Sequence, residues 1–294
     1  MPSKAWPRLL SGQSVLSVCA LSLAGCRGSV PEQVLSKPLP AVAHPTPAAG
    51  GEAWTYHPSA ERRTYVLEQH AVLTISQETT VRVDSVLSHA EVAFTSFATT
   101  GRVTGLLSVF RVQGPAHELT IPAGLVLPFA FSADYPTYRR QLVFSTADAA
   151  APCASRGLAV AQSLRDLWFQ PPDTLRLGTV WDDSASYVFC RDDIPLRAIV
   201  QRTFRITGVE ERAGRFALLV SRISRTAIEA ESRLSGEPIT VSGSGTGQFN
   251  YAIDPNSGEI LSARGLAVLD LMFRSRFRTQ RVHQASDTRV VRGA

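Results

Sequence analysis

Apolar and polar positions alternate along this chain from about residue 63 to near its end, in runs separated by Gly, Pro and Asp. A period of two sends successive side chains to opposite faces of a strand, so the pattern predicts antiparallel sheet with one apolar face. The runs fall into two groups. The first comprises residues 64–75, 80–88, 91–97, 102–113, 125–131 and 141–145; the second comprises 186–190, 196–208, 215–227, 239–253, 259–271 and 276–284. Glu210-Glu211-Arg212-Ala213-Gly214 and Asp254-Pro255-Asn256-Ser257-Gly258 place turn formers between such runs, which makes 196–227 and 239–271 two long hairpins. Strands of this length in a meander predict a mainly β fold, a curved sheet or half-barrel whose apolar face needs cover.

A helical period occurs between the two groups. Within residues 154–168, Leu158, Ala161, Leu164 and Trp168 recur at three and four, Pro152 suits a first helical turn, and Pro171-Pro172 ends the segment. It predicts one amphipathic helix, placed either over the concave face of the sheet or against an outer edge. The domain is then residues 52–294, as one unit or as two halves, 52–150 and 151–294.

The first 51 residues follow a different logic. Lys4 and Arg8 precede a short apolar run at 15–23 that is too short to span a bilayer, as in a secretory signal. The run ends in Leu23-Ala24-Gly25-Cys26, which resembles the lipobox of bacterial lipoproteins. That motif implies cleavage before Cys26 and acylation of its thiol and new amino group, and several acyl chains make a lasting anchor where one would not. Arg27 stands where an inner-membrane retention signal would carry Asp, so the resemblance implies the outer membrane, with the domain on the periplasmic face. Residues 27–51, with Pro31, Pro38, Pro40, Pro45 and Pro47, read as a tether. It would average roughly 25–30 Å as a flexible coil and reach about 75–80 Å as polyproline II.

An oxidising compartment gives the cysteines meaning. Cys19 leaves with the signal and Cys26 takes lipid, so Cys153 and Cys190 remain as a disulfide pair; a reactive thiol pair or a metal site are the alternatives, and neither a third ligand nor a C-x-x-C spacing supports them. The formal charge is +5 over 294 residues and falls to +3 without Lys4 and Arg8. The excess lies on arginines such as Arg274, Arg276, Arg278 and Arg281, accompanied by Phe273 and Phe277. No nucleic-acid fold accompanies them, so they read as a solvated strand face able to touch anionic lipid headgroups.

No catalytic, cofactor or metal motif emerges. His44, His57, His70, His89, His117 and His283 form no close metal pair, and no G-x-S-x-G elbow occurs. Gly243-Ser244-Gly245-Thr246-Gly247 lacks the helix and Lys of a phosphate loop and sits inside a strand run, where alternate glycines allow a bend, close packing or ligand contact. Asp182-Asp183 and Asp192-Asp193 are adjacent pairs whose members face oppositely on a strand, and they read as solvated loop ends rather than acid–base dyads. Trp181, Tyr187 and Phe189 share one apolar face and read as core.

Cys153-Ala154, Leu177-Gly178-Thr179-Val180-Trp181-Asp182, Cys190 with Ile194-Pro195, Gly243 to Gly247 and Asp254 to Gly258 follow in an order that resembles an uncharacterised family of predicted Gram-negative lipoproteins. The family commonly has Gly-Asp-x-Trp where this chain has Thr179. In architecture alone the chain is similar to the LolA- and LolB-like lipoprotein carriers, half-barrels that hold acyl chains. The resulting expectation is a non-enzymatic envelope protein without cofactor that binds a lipid or other hydrophobic molecule in a cavity lined by Phe129, Phe131, Leu218, Val220, Phe249 and Tyr251. The alternative is a structural or interaction module without such a cavity.

Overall fold

The computed structural model describes residues 52–56, 61–97, 102–113, 129–134, 143–145, 169, 171–191, 194–212, 214–234 and 237–293. These residues form thirteen strands and no helix: β1 (Trp54–Thr55), β2 (Arg62–Gln77), β3 (Thr80–Phe97), β4 (Arg102–Gln113), β5 (Phe129–Asp134), β6 (Val143–Ser145), β7 (Thr174–Leu175), β8 (Val180–Arg191), β9 (Ile194–Arg212), β10 (Arg215–Leu234), β11 (Glu237–Asp254), β12 (Glu259–Arg274) and β13 (Thr279–Arg292). The helix expected at 154–168 lies outside the described residues, as do Cys153 and the side chain of Cys190.

Eleven strands make one antiparallel sheet in the order β6-β5-β4-β3-β2-β13-β12-β11-β10-β9-β8, and β1 pairs with β7 apart from it. The two groups of strands are therefore continuous: β13 pairs with β2 from Gln280–Gln77 to Arg292–Tyr65. The sheet does not close, since β6 and β8 are its edges. Eleven twisted strands do not stay flat, and irregular register between Glu91 and Val92, Leu219 and Val220, and Ala252 and Ile253 adds local bends.

Several strands run longer than the sequence pattern predicted. Residues 80–97 form one strand where two were expected, β8 begins at Val180 instead of Ser186, and β5 is displaced to Phe129–Asp134. The cause is pairing: once a hairpin is in register, a neighbour's ladder carries residues of weak strand preference into the sheet.

Alternation fixes the two faces. Along β9, Ile194, Leu196, Ala198, Val200, Arg202, Phe204 and Ile206 are buried, while Pro195, Arg197, Ile199, Gln201, Thr203 and Arg205 are exposed. The outer face of the following strands is mixed, with Arg225, Glu229, Thr240, Thr246, Arg264 and Asp270 beside exposed Ile223 and Val268. A transmembrane barrel would carry a continuous apolar belt facing lipid and a polar interior. These strands instead turn their apolar side chains toward one another.

The buried side chains form two clusters at opposite ends of the strands. The first contains Tyr65, Phe94, Phe169, Leu175, Trp181, Phe204, Leu218, Val220, Phe249 and Tyr251, near the β9–β10 and β11–β12 turns. The second contains Leu73, Val86, Leu196, Ile228, Val241, Leu271 and Val282, toward the β8–β9 and β12–β13 turns.

Candidate functional site

A polar seam crosses the inner face between these clusters. Cross-strand register sets Asp183, Arg202, Ser224, Gly247, Ala267 and Ser286 in one row, and Trp181, Phe204, Arg222, Phe249, Gly265 and Thr288 in the next. Arg202 is 1% exposed and gives two bonds to Asp183, Nε to Oδ1 at 2.5 Å and a second guanidinium nitrogen to Oδ2 at 2.7 Å. Arg222, 2% exposed, lies 4.3 Å from the Phe249 ring centroid and 5.9 Å from that of Tyr251. Buried guanidinium groups persist where a carboxylate or an aromatic face replaces water. Gln69 extends the seam to β2 by donating to Thr288 Oγ1 at 3.1 Å.

The expectation for Asp183 therefore needs correction. It is not a solvated loop end but an inward residue within β8, buried as the partner of Arg202, whereas Asp182 points outward and accepts from Thr203 Oγ1 at 2.6 Å. Asp192 and Asp193 lie outside the described residues. The arginines of the seam carried a signal in the sequence: each interrupts an apolar alternation in phase, at Val200-x-Arg202-x-Phe204 and Val220-x-Arg222-x-Ser224.

The glycine run has a backbone explanation. A Cβ on Gly243 would come within 2.6 Å of the Asp270 carbonyl oxygen, and one on Gly245 within 2.6 Å of the Val268 carbonyl oxygen, so these positions admit close approach of β12. Gly265 is needed for another reason, because its missing Cβ would sit 2.2 Å from the Phe249 ring.

The first cluster is the end closed by interlocking rings and ion pairs, with Trp54, Tyr56, Leu67, Leu177 and Val209 left partly exposed around it. Trp181 stacks on Phe204 at 5.1 Å and 4°, Phe169 meets both, and Phe169 contacts Tyr251 edge-on at 5.1 Å. Strand β7 contributes Leu175, and its partner β1 places Trp54 5.6 Å from the Phe216 ring. Ionic bonds finish this end: Arg215 bonds Asp254 at 2.7 Å and Glu259 at 2.6 Å, and Arg292 approaches Glu259 at 3.0 Å. Arg63 donates to the Ser257 carbonyl, and Tyr65 Oη accepts from the Ile260 N–H at 3.2 Å. Burial pushes the Tyr65 hydroxyl above its ordinary pKa near 10, outweighing the opposing effect of that bond.

The second cluster is open. Ile75, Tyr187, Phe189, Leu269 and Phe273 pack against its buried residues yet remain partly exposed. Arg191, at the β8 end of this cluster, is buried, its guanidinium 5.9 Å from the Phe273 ring centroid.

Of the residues expected to line a cavity, Leu218, Val220, Phe249 and Tyr251 are brought together, all in the closed cluster. Phe129 and Phe131 fall on β5, opposite Leu107 and Gly105, with side chains outside the described part. Cys26 also lies outside it. Histidines are held by single neighbours, His70 by Ser85 at 2.8 Å and His283 by Asp270 at 2.8 Å. No metal-binding group of His, Cys, Asp or Glu occurs among the described residues.

No family model matches the chain, and no curated protein matches it. Among solved structures it is similar to a DUF1329 family protein from Desulfovibrio piger, at 11% identity and TM-score 0.15, over 75% of this chain and 83% of that one. It is also similar to OpdL of Pseudomonas aeruginosa, at 6% identity and TM-score 0.23 over 79% and 99%. OccK8 (OprE) of the same organism gives 6% and 0.23 over 80% and 99%. At these scores none of the three speaks to what this chain does.

Proposed function

We propose that the chain is a non-enzymatic, lipid-anchored protein of the bacterial outer membrane that binds a lipid or other hydrophobic molecule at the open end of its sheet. The observation that carries this reading is the unfinished burial of Ile75, Tyr187, Phe189, Leu269 and Phe273, which the fold turns toward its inner face. Covering apolar surface of this kind is worth about 25 cal/mol per Å², so an acyl chain or similar ligand laid against it gains what a packed core gains. The Leu23 to Cys26 motif supports the anchor, and residues 27–51 the periplasmic reach. This reading moves the candidate ligand contacts from the closed cluster to the open one.

Organic extraction of the purified full chain, followed by mass spectrometry, tests it, because acyl groups on Cys26 stay with the polypeptide while a bound lipid leaves. A stoichiometric lipid, lost when Leu269→Gln and Phe273→Gln are combined, is the expected result. A chain that releases no lipid and takes up neither fatty acid nor phospholipid overturns the reading and favours an envelope interaction module.

A further inference from the structure

The turn between β12 and β13 places an aromatic ring where the fold has no use for one. Arg274 and Thr279 form the last pair of the hairpin, leaving Ser275, Arg276, Phe277 and Arg278 at its tip. Phe277 is 63% exposed there, and a hairpin gains no packing from an apolar residue in that position. The tip is nonetheless ordered: the Ser275 N–H donates to the Arg278 carbonyl at 2.9 Å and the Phe277 N–H to Ser275 Oγ at 3.3 Å.

Charge surrounds the ring. Arg274, Arg276, Arg278 and Arg281 fall within eight residues, and no Asp or Glu occurs from 271 to 286. The Arg276 guanidinium stands 5.4 Å from the Phe277 ring centroid. Register continues the surface outward across the sheet, Arg281 pairing with Ser76 and Ser76 with Val81, which is 64% exposed. Val83 follows on the same outer face, and the neighbouring turn adds one acid, Glu78.

We propose that this tip docks the open end of the sheet onto an anionic lipid surface, the arginines meeting phosphate headgroups and Phe277 entering the interface. An apolar ring such as that of Phe buries at the headgroup–acyl boundary, and each basic side chain near an anionic leaflet adds to binding. The tip lies at the end of the strands where the second cluster is open, so docking would set the apolar inner face beside acyl chains. That purpose rests on the ligand reading above, but the docking itself does not.

Reach is sufficient. The tether joins at β1, by the closed end, and can extend about 75–80 Å, while a strand the length of β12 covers about 50 Å. Anchor and tip can therefore engage one membrane.

The test uses the mature chain beginning at position 26 with Cys26→Ala, so that neither signal segment nor acyl anchor is present, and Phe277→Trp as a reporter, its emission taken as the difference from the parent chain. Vesicles carry brominated acyl chains and consist of phosphatidylcholine alone or mixed with phosphatidylglycerol. The expected result is an emission drop of about two-fold on the mixed vesicles and none on the neutral ones. Adding Arg276→Gln and Arg278→Gln should raise the lipid needed for half-quenching about thirty-fold. No quenching on either vesicle, equal quenching on both, or an equal response to polyglutamate overturns the proposal. Lipid extraction, measured separately, is unaffected by any of these outcomes, so the two readings fail independently.

Discussion

The two ends of the inner face are built from the same strands yet finished differently. At the closed end, rings from β2, β3, β8, β9 and β11 interlock, and Arg215, Arg292 and Arg63 tie the Asp254-to-Glu259 turn to its neighbours. At the open end the inward side chains are mainly aliphatic, with Tyr187 and Phe189 paired at 5.9 Å; Ile75, Leu269 and Phe273 remain partly exposed, and an ion pair joins Arg82 to Asp84. The difference teaches that one continuous sheet can hold a rigid core and an unfinished one, provided a polar seam separates them. Asp183, Arg202 and Arg222 form that seam.

The seam is where the comparison breaks most readily. Asp183→Ala leaves the Arg202 guanidinium buried beside the space of its lost carboxylate, and a loss of about 3–5 kcal/mol in urea unfolding is expected. Phe204→Ala, at the closed end, removes a ring packed against Trp181 and Phe169, and about 3–4 kcal/mol should follow. Leu269→Ala, at the open end, takes away only half-buried surface, so about 1–2 kcal/mol is expected by the same measurement. Equal costs for these last two would erase the distinction between the ends.

A smaller effect depends on pH. Tyr65 holds its proton more tightly when folded than when unfolded. Its contribution is intact below the unfolded value near 10 and declines as pH rises through the higher folded value, because the unfolded chain deprotonates first. Tyr65→Phe should cost about 1 kcal/mol at neutral pH, through the lost acceptor for the Ile260 N–H, and flatten the alkaline decline. Unfolding curves on either side of pH 10 check both parts. The smallest effect is expected at the hairpin tip, where Phe277→Ser should leave stability within about 0.5 kcal/mol while abolishing contact with anionic vesicles.

Much of this was legible in the chain. The alternation at 194–206 identifies the buried face of β9 residue by residue, and the two turn sequences mark the β9–β10 and β11–β12 hairpins. Asp183 was not, because two adjacent acids near a strand end look like a loop until the opposing arginine is known. Nor was the pairing of β2 with β13, since alternation specifies faces and not partners. The open end also escaped notice. Leu269 and Phe273 read as ordinary strand residues, and only their place beyond the seam leaves them partly exposed. Strands β1 and β7, two residues each, are too short to carry any period.

The pairing of β2 with β13 has a consequence in time. Its partners lie more than two hundred residues apart, so the sheet is joined by contacts among the most distant the chain can make, and such closures are slow. A ribosome or a translocation pore delivers β2 early and β13 last. Until Arg292 emerges, two half-sheets wait with bare edges, each a template for mispairing with another copy. Completion of this molecule is therefore a single late event, and a chain cut short before β13 would be left as two half-sheets, β2 to β6 and β8 to β12, with nothing to join them.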